Sequence, residues 1–477
     1  MIEAKNWVAG SQSPVTARAE VYNPAHYDEI VGITGYSSSE DLEQAVQAAC
    51  NAQVAWKRLG FLARGNLLFR AAGILEEHVD ELGQLAAKEM GKPIAEARGE
   101  AQRAVAILRY YGGEGARTMG DVIPAANPGT LQYTTREPLG VVGIITPWNF
   151  PLAIPVWKMA PALVFGNTVV LKPAELSALT AYQMVSLIAP LFPPGVINLV
   201  LGRGNEVGES LIRHPQVRGL SFTGSVGVGQ HIAELAVARG VKYQLEMGGK
   251  NPVIVANDAS LELAVDATVS GAMRSAGQKC TATSRVIVAD GIYRAFATAL
   301  GERVASLKWG DPLDPGTYLG PVVSAAQKEK VVGFIEGAKR EGHRLLAGGG
   351  SIEAPGHFVM PTVFDEVDPQ SAIAQDEIFG PVVAVVPVAG IEEALHVANG
   401  VRYGLSASVF TGSLKTALAC VEGLEAGMVR VNEETAGVEY QAPFGGMKAS
   451  SSHSREQGRA ALEFYTETKT VAIRSIG

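Results

Sequence analysis

Short, uninterrupted apolar runs dominate the middle of the chain. They occupy residues 141–145, 168–172, 196–201 and 219–222, and segments with helical spacing, such as 179–189, separate them. Runs without polar alternation are typical of strands buried on both faces, and strands that alternate with helices form βαβ units. The pattern therefore predicts a parallel sheet covered by helices.

A second series of the same kind follows at residues 252–256, 284–289, 384–388 and 429–432. Two successive series of this length predict an α/β protein with two α/β domains. The boundary between them is expected near residues 246–251.

The first 115 or so residues have a mainly helical pattern. Ser37 and Glu40 have the spacing of a capping box ahead of the first helix, and Gly91 with Pro93 marks a later break.

Two segments, residues 130–138 and 469–473, instead alternate in the manner of exposed strands. Because an open strand edge is usually covered or paired, both are candidates for an oligomer contact.

The composition narrows the class of protein. Of 477 residues, 47% are hydrophobic and 18% are charged, which excludes a disordered chain. The net charge of −8, without a basic run, disfavours a nucleic-acid or anionic-membrane partner. The apolar stretch 141–171 contains four prolines and Lys158, so it is not expected to span a membrane.

The cysteines and the start of the sequence bear on location. Cys50, Cys280 and Cys420 are too few and too scattered for a disulfide framework. The first residues also lack the basic and apolar regions of a signal peptide. Both observations predict a cytoplasmic protein.

Several familiar motifs are missing from the sequence. There is no P-loop, Thr223 breaks a G-x-S-x-G match, and no two histidines lie at i and i+4, so no metal site is expected. Glycine-rich turns at 202–208 and 222–229 each follow a predicted strand, but without G-x-G-x-x-G spacing. They are either tight connections or parts of a dinucleotide site, in which Gly224 and Ser225 open a helix towards a diphosphate.

Three polar residues lie at the ends of predicted strands. Lys172 and Glu175 are either solvated side chains or ligands of ribose hydroxyls. Asn149, between two prolines, either caps a turn or donates a hydrogen bond to a developing oxyanion.

Two further residues are candidates for covalent chemistry. Glu246, flanked by apolar neighbours, is either a satisfied buried carboxylate or a general base with a raised pKa. Cys280 is either a small core residue or a nucleophile. For the second alternative, a helix beginning within residues 281–284 would lower the pKa of the thiol.

Together with these residues, seven motifs resemble those of the aldehyde dehydrogenase superfamily in order and spacing. They are TPWNFP at 146–151, LKPAE at 171–175, FTGSVGVG at 222–229, LEMGGKNP at 245–252, GQKC at 277–280, DEIFGP at 376–381 and PFGGMK at 443–448. The resemblance extends from about residue 5 to the C-terminus. Met247 stands where the family usually has leucine, a swap that conserves apolar volume.

The resemblance implies a role for each motif. Cys280 would attack the aldehyde, the Asn149 side chain and the Cys280 backbone N–H would hold the oxyanion, and Glu246 would activate water to hydrolyse the thioester. The implied cofactor-binding residues are Trp148, Lys172, Glu175, Gly224, Ser225, Glu377 and Phe379.

The resemblance also implies an α/β fold with two doubly wound domains and a small β bridging element, assembled as a homodimer or homotetramer. The dinucleotide-binding domain would comprise residues 1–118 and 139–245, and the catalytic domain residues 246–445. Residues 119–138 and 462–477 would form the oligomerisation element.

Two residues bear on the cofactor and the substrate. Glu175 accepts hydrogen bonds from a ribose 2′-OH but repels a 2′-phosphate, which favours NAD over NADP while leaving both open. Arg274, six residues before Cys280, matches an arginine of family members that oxidise carboxylate-bearing semialdehydes. It is either an anion clamp or part of a salt bridge. The C-terminal sequence most resembles the α-ketoglutarate semialdehyde (2,5-dioxopentanoate) dehydrogenases.

Other functions stay open at this point. Succinic semialdehyde or a broad range of aliphatic aldehydes are alternative substrates. A CoA-acylating reaction is disfavoured by Glu246, a base that serves water. A non-enzymatic role is disfavoured because Cys280, Glu246 and Asn149 occur together.

Overall fold

The computed structural model describes residues 1–117 and 119–475. Five strands precede four helices in its first part: β1 (Ile2–Glu3), β2 (Asn6–Val8), β3 (Ser11–Ser13), β4 (Ala17–Asn23), β5 (His26–Tyr36), α1 (Ser39–Arg58), α2 (Phe61–Glu77), α3 (Val79–Met90) and α4 (Ile94–Glu114). The helices confirm the mainly helical pattern, but the strands were not predicted. Three of the five contain only two or three residues, too few for an alternation to show.

The ends of these helices follow from local sequence. The expected capping box at Ser37 and Glu40 is wrong by one residue, because Ser38 and Asp41 form it instead. The predicted break is confirmed: α3 ends before Gly91, whose φ of 83° is the left-handed conformation that glycine favours at a helix C-terminus.

The first large sheet is built mainly from the middle of the chain. Its elements and those that precede it are β6 (Val122–Ile123), β7 (Thr130–Pro138), β8 (Val141–Ile145), α5 (Ala153–Val164), β9 (Thr168–Lys172), α6 (Ala178–Ile188), β10 (Ile197–Leu199), α7 (Glu209–Arg213), β11 (Val217–Thr223), α8 (Val226–Arg239) and β12 (Lys242–Glu246). The sheet order is β12-β11-β8-β9-β10-β2-β3, and the first five strands are parallel.

The strand order of this sheet reverses between β8 and β11. From β8 the chain adds β9 and β10 on one side, then returns to add β11 and β12 on the other. In open α/β sheets, ligands bind beyond the carboxyl ends of the strands at such a switch point. The residues that follow β8 and β11 are therefore placed for a binding site.

The second large sheet begins at Asn251. The remaining elements are β13 (Asn251–Val255), α9 (Leu261–Met273), β14 (Thr283–Ala289), α10 (Asp290–Ala305), α11 (Ala325–Arg340), β15 (Arg344–Ala347), β16 (Thr362–Asp365), α12 (Ala372–Gln375), β17 (Val382–Val388), α13 (Ile391–Asn399), β18 (Tyr403–Gly404), β19 (Ser406–Phe410), α14 (Leu414–Gly423), β20 (Met428–Val431), β21 (Met447–Lys448), α15 (Ala461–Tyr465) and β22 (Thr466–Arg474). The sheet order is β15-β16-β17-β14-β13-β19-β20, with only β15 antiparallel to its neighbour. Two mainly parallel sheets confirm the α/β fold class.

A third sheet joins the two segments predicted to be exposed strands. β22 and β7 are antiparallel over nine residue pairs, and β6 lies on the other side of β7. That this sheet forms an oligomer contact stays a prediction. The proposed domain boundaries also stay predictions, and three residues that they include, 118, 476 and 477, lie outside the described residues.

Neither a membrane span nor a metal cluster is found in the described ranges. No helix within residues 1–117 and 119–475 is both long and apolar enough to cross a membrane. In the same ranges, no three His, Cys, Asp or Glu side chains come together as metal ligands would.

Candidate active site

A cavity of about 180 Å³ lies at the switch point between β8 and β11. Its walls are Pro147, Trp148, Asn149, Thr223, Gly224, Ser225, Met247, Gly248, Cys280, Gln327, Lys330, Glu377 and Phe379. Seven of the eleven predicted site residues are among them. The other four, Lys172, Glu175, Glu246 and Arg274, lie outside this lining in the described structure.

Asn149 lies in the turn between β8 and α5 and is 3% exposed. Its Nδ2 atom donates a hydrogen bond to the carbonyl oxygen of Gln278 at 3.0 Å. An amide nitrogen carries two hydrogens, so one remains for an acceptor in the cavity. Asn149 thus combines a fixed side chain with a donor to spare.

Cys280 is half-buried and follows an irregular segment. The helix expected within residues 281–284 is wrong: after a turn, β14 begins at Thr283, because the segment is rich in β-branched residues that favour a strand. The expected lowering of the thiol pKa is therefore absent from the described structure. Burial, together with the nearby Glu377 and Glu246, raises the pKa of Cys280 to about 12.

A left-handed turn leads into the Cys280 segment. Ser275, Ala276 and Gly277 have φ angles of 55°, 51° and 68°. This conformation is unfavourable for Ser275 and Ala276, because they carry a Cβ atom. Glu96 on α4 holds this turn, since its carboxylate accepts hydrogen bonds from the Ser275 backbone N–H at 3.1 Å and hydroxyl at 2.6 Å. Sequence reasoning missed Glu96, whose only signal is an acidic side chain in the first turn of a helix.

Gln278 links the same turn to the rest of the protein. Its Nε2 atom donates to the Ser275 carbonyl oxygen at 3.2 Å, and its Oε1 atom accepts from the Val323 N–H at 2.9 Å. The residues just before the cysteine are thus fixed from two sides.

Glu246 is the last residue of β12 and is 1% exposed. Its Oε2 atom accepts a hydrogen bond from the Ser451 hydroxyl at 2.5 Å. Burial and the charge of Glu456 raise its pKa well above the usual value, against the opposing effect of Ser451, Lys158 and Arg455. The raised pKa fits the second of the two alternatives for Glu246, a general base, and that role stays a prediction. Met247 and Gly248 beside it reach the cavity wall.

The residues predicted to hold a dinucleotide fall into two groups. Ser225 is the N-cap residue of α8, so the first N–H groups of this helix, which have no intrahelical acceptor, lie at the cavity wall. The rings of Trp148 and Phe379 meet edge to face with centroids 5.5 Å apart. Glu377 accepts a hydrogen bond from the Gly249 N–H at 3.0 Å, and burial raises its pKa.

The second group lies beyond β9. Lys172 is 4% exposed, and burial lowers its pKa. Glu175 is exposed and accepts a hydrogen bond from the Gly204 N–H at 3.3 Å, within the first glycine-rich turn. The structure therefore brings this carboxylate to that turn, 29 residues away along the chain.

Arg274 faces a different, open cavity of about 500 Å³ that Ser270, Arg303, Lys308 and Tyr318 also line. The side chain is exposed, and Cζ lies 5.7 Å from the centroid of the Tyr318 ring. Within residues 1–117 and 119–475 no carboxylate forms an ion pair with it, which argues against a salt bridge inside the chain. Its role as an anion clamp stays a prediction.

Comparisons with known proteins agree with this geometry. Residues 7–471 match the model of the aldehyde dehydrogenase family. The chain is 52% identical to alpha-ketoglutaric semialdehyde dehydrogenase of Bacillus subtilis over 98% of this chain and 96% of that protein. It is 44% identical to alpha-ketoglutarate semialdehyde dehydrogenase of Haloferax volcanii over 98% of each.

A solved structure gives the same result for the fold. The crystal structure of betaine aldehyde dehydrogenase from Staphylococcus aureus in complex with NAD+ matches with a TM-score of 0.96 and 34% identity. The match covers 99% of this chain and 95% of that one. The chain therefore belongs to the aldehyde dehydrogenase family and is an oxidoreductase that acts on aldehydes.

Proposed function

We propose that this chain oxidises α-ketoglutarate semialdehyde to the carboxylic acid with NAD or NADP, through a covalent intermediate on Cys280. The observation that carries the proposal is that the Cys280 thiol and the Asn149 amide line one cavity, with Glu246 next to its wall. The substrate is supported by the names of the two relatives at 52% and 44% identity.

In the first half of the reaction, the Cys280 thiol gives up its proton to solvent water and Sγ bonds to the aldehyde carbon. The carbonyl oxygen becomes an oxyanion, which the spare Nδ2 hydrogen of Asn149 and the Cys280 backbone N–H stabilise. NAD or NADP, when bound, would supply the acceptor for the hydride that leaves this carbon. A thioester on Cys280 remains.

In the second half, Glu246 takes a proton from water, which attacks the thioester carbon and expels the Cys280 sulfur. A raised pKa suits a general base, because a carboxylate with a higher pKa is a stronger base and takes a proton from water more readily. Resolution by CoA would not need this base, and hydrolysis is therefore the favoured route.

The residues present fit a dinucleotide. The N-terminus of α8, next to Gly224 and Ser225, offers the N–H groups of its first turn to a diphosphate. Trp148 and Phe379 would line the nicotinamide pocket, and Glu377 would bind its ribose. At the other end, Lys172 and Glu175 would bind the adenosine ribose. The negative charge of Glu175 favours NAD over NADP.

For the substrate, we propose that Arg274 binds the carboxylate at the far end of the semialdehyde. Its guanidinium is exposed, forms no ion pair among the described residues, and lies six residues before the nucleophile. Since Arg274 and Cys280 line different cavities, this role requires the substrate to extend from Cys280 towards the cavity that Arg274 lines. A bidentate guanidinium–carboxylate contact would orient such a substrate.

The test is kcat/KM for α-ketoglutarate semialdehyde, succinic semialdehyde and an uncharged aldehyde of similar length, each with NAD and NADP. We expect Arg274→Ala to lower the preference for charged substrates by ~10²-fold, or ~2.7 kcal/mol. The matched control is Arg303→Ala, which removes a cation of the same cavity that is paired with Asp266. Equal activity on uncharged aldehydes and an indifferent Arg274→Ala would instead indicate a broad aldehyde dehydrogenase.

We further propose a cytoplasmic homodimer or homotetramer that uses the sheet of β6, β7 and β22 as its contact. Eight of the nine residues of β22 are exposed or half-buried, which leaves surface for a partner. All three cysteines are unpaired, as suits a reducing compartment. Light scattering on the intact chain would test the assembly, and a monomer would contradict it.

A further inference from the structure

Lys92 and Glu100 form an ion pair that is buried against the turn carrying Asn149. Lys92 Nζ lies 2.5 Å from Glu100 Oε2, and the two side chains are 0% and 1% exposed. Lys92 precedes α4, and Glu100 lies in its second turn. Removing two charges from water is costly, and their attraction alone rarely repays it. The other contacts of the pair therefore indicate what it holds in place.

The contacts of Lys92 are with the Asn149 turn. Lys92 Nζ donates a hydrogen bond to the backbone carbonyl oxygen of Asn149 at 2.8 Å. The same atom lies 3.8 Å from the centroid of the Phe150 ring, a cation–π distance. Lys92 thus fixes the backbone at the residue whose side chain is the candidate oxyanion donor.

The contacts of Glu100 lie on the other side of that residue. Glu100 Oε1 accepts hydrogen bonds from the backbone N–H groups of Leu152 at 2.8 Å and Ala153 at 3.0 Å. These groups begin α5, all twelve residues of which are buried. Glu100 therefore supplies the acceptors that the start of this helix lacks within itself.

We propose that the Lys92–Glu100 pair positions the Asn149 amide for the oxyanion. The pair holds the carbonyl of residue 149 and the N–H groups of residues 152 and 153, so the turn has little freedom to rotate the side chain. This inference rests on the proposed role of Asn149. Lys92 and Glu100 act through Asn149 and are positioning residues.

The test uses a reaction that needs an oxyanion donor but no dinucleotide. Acylation of Cys280 by p-nitrophenyl acetate passes through a tetrahedral oxyanion and releases p-nitrophenolate. Alkylation of Cys280 by iodoacetamide passes through no oxyanion. We expect Glu100→Gln to slow acylation about tenfold or more while alkylation changes less than about twofold. Because neither reaction involves an aldehyde or NAD, the result does not depend on the proposed substrate.

A double-mutant cycle connects the effect to Asn149. In an Asn149→Ala background, Glu100→Gln should slow acylation less than about twofold further, because the group through which it acts is gone. Full additivity of the two losses would overturn the proposal.

A matched control is available at Glu89. This carboxylate is also buried and accepts hydrogen bonds from the Leu179 N–H at 2.7 Å and the Thr180 N–H at 2.9 Å, at the start of α6. Glu89→Gln should lower Tm to a similar degree and leave acylation unchanged. If Glu89→Gln slows acylation as much as Glu100→Gln does, the Lys92–Glu100 pair has only a structural role.

A second variant is available should Glu100→Gln not fold. The double variant Lys92→Met with Glu100→Gln removes both charges together and leaves none unpaired. Unchanged acylation in this variant would also overturn the proposal.

Discussion

Glu246 Oε2 accepts a hydrogen bond from the Ser451 hydroxyl at 2.5 Å, although 205 residues separate the two along the chain. A backbone hydrogen bond joins the same two segments, since the Met247 N–H donates to the Ser450 carbonyl oxygen at 2.7 Å. The other carboxylate oxygen, Oε1, is buried and has no hydrogen-bond partner in the described part of the chain. One oxygen is thus anchored and the other is left for a water molecule.

This anchoring predicts a pH dependence for thioester hydrolysis. The base form of Glu246 exists only above its pKa, which burial and Glu456 raise, so the rate of hydrolysis should increase as the pH rises through that pKa. The Ser451 hydrogen bond opposes the rise, and Ser451→Ala should therefore shift the profile to higher pH. Single-turnover hydrolysis measured against pH tests this.

The control for that profile is the neighbouring serine. Ser452 Oγ accepts a hydrogen bond from the Leu245 N–H at 2.9 Å and therefore supports the same strand without touching the carboxylate. Ser452→Ala should leave the midpoint in place. A shift of equal size in both variants would show that Ser451 acts only through the backbone.

The left-handed turn before Cys280 predicts opposite effects at adjacent positions. Ala276 has a φ of 51°, so Ala276→Gly should relieve strain and raise the free energy of unfolding by about 0.5–1 kcal/mol. At Gly277, a Cβ would lie 2.1 Å from the Gly380 carbonyl oxygen, and Gly277→Ala should be destabilising. Urea unfolding of both variants measures this, and a loss of stability in Ala276→Gly would contradict it.

Glu175 predicts the dinucleotide preference. Glu175→Gln keeps an acceptor for the ribose and for the Gly204 N–H but removes the charge that repels a 2′-phosphate. The ratio of kcat/KM for NAD to that for NADP should fall about tenfold, or ~1.4 kcal/mol. An unchanged ratio, with both kcat/KM values reduced equally, would show that the Glu175 side chain only holds the glycine-rich turn and does not select the dinucleotide.

The three thiols should differ sharply in function. Cys280→Ala should abolish dehydrogenase activity, whereas Cys50→Ala and Cys420→Ala should retain it, since Cys50 lies on α1 and Cys420 is fully buried on α14. In the ligand-free protein, alkylation of Cys280 should keep accelerating as the pH rises through the alkaline range, because burial raises the pKa of the thiol and only the thiolate reacts. Comparable loss of activity in all three variants would exclude Cys280 as the specific nucleophile.

The sequence was most informative where strands are buried on both faces. The apolar runs 141–145 and 168–172 coincide with β8 and β9, because uninterrupted apolar residues have few other structural explanations. The motif residues around the cavity were found through a family resemblance, since each of them, taken alone, could equally have an ordinary structural role.

What could not be predicted depends on distant contacts. Glu96 and Glu100 look like the solvated face of a helix, and only the fold shows that they bind backbone groups 179 and 52 residues away. The helix expected after Cys280 failed because small polar residues that suit a helix start also suit a turn into a strand.

The pairing of β7 with β22 has a consequence for synthesis of the chain. One edge of β7, nine residues long, stays open until β22 has left the ribosome. At ordinary elongation rates the interval is on the order of tens of seconds. Ser451 and Glu456 emerge shortly before β22. Glu246 therefore acquires its contact with Ser451 only after 205 further residues have been synthesised, and β7 must be protected from wrong strand pairing until β22 emerges.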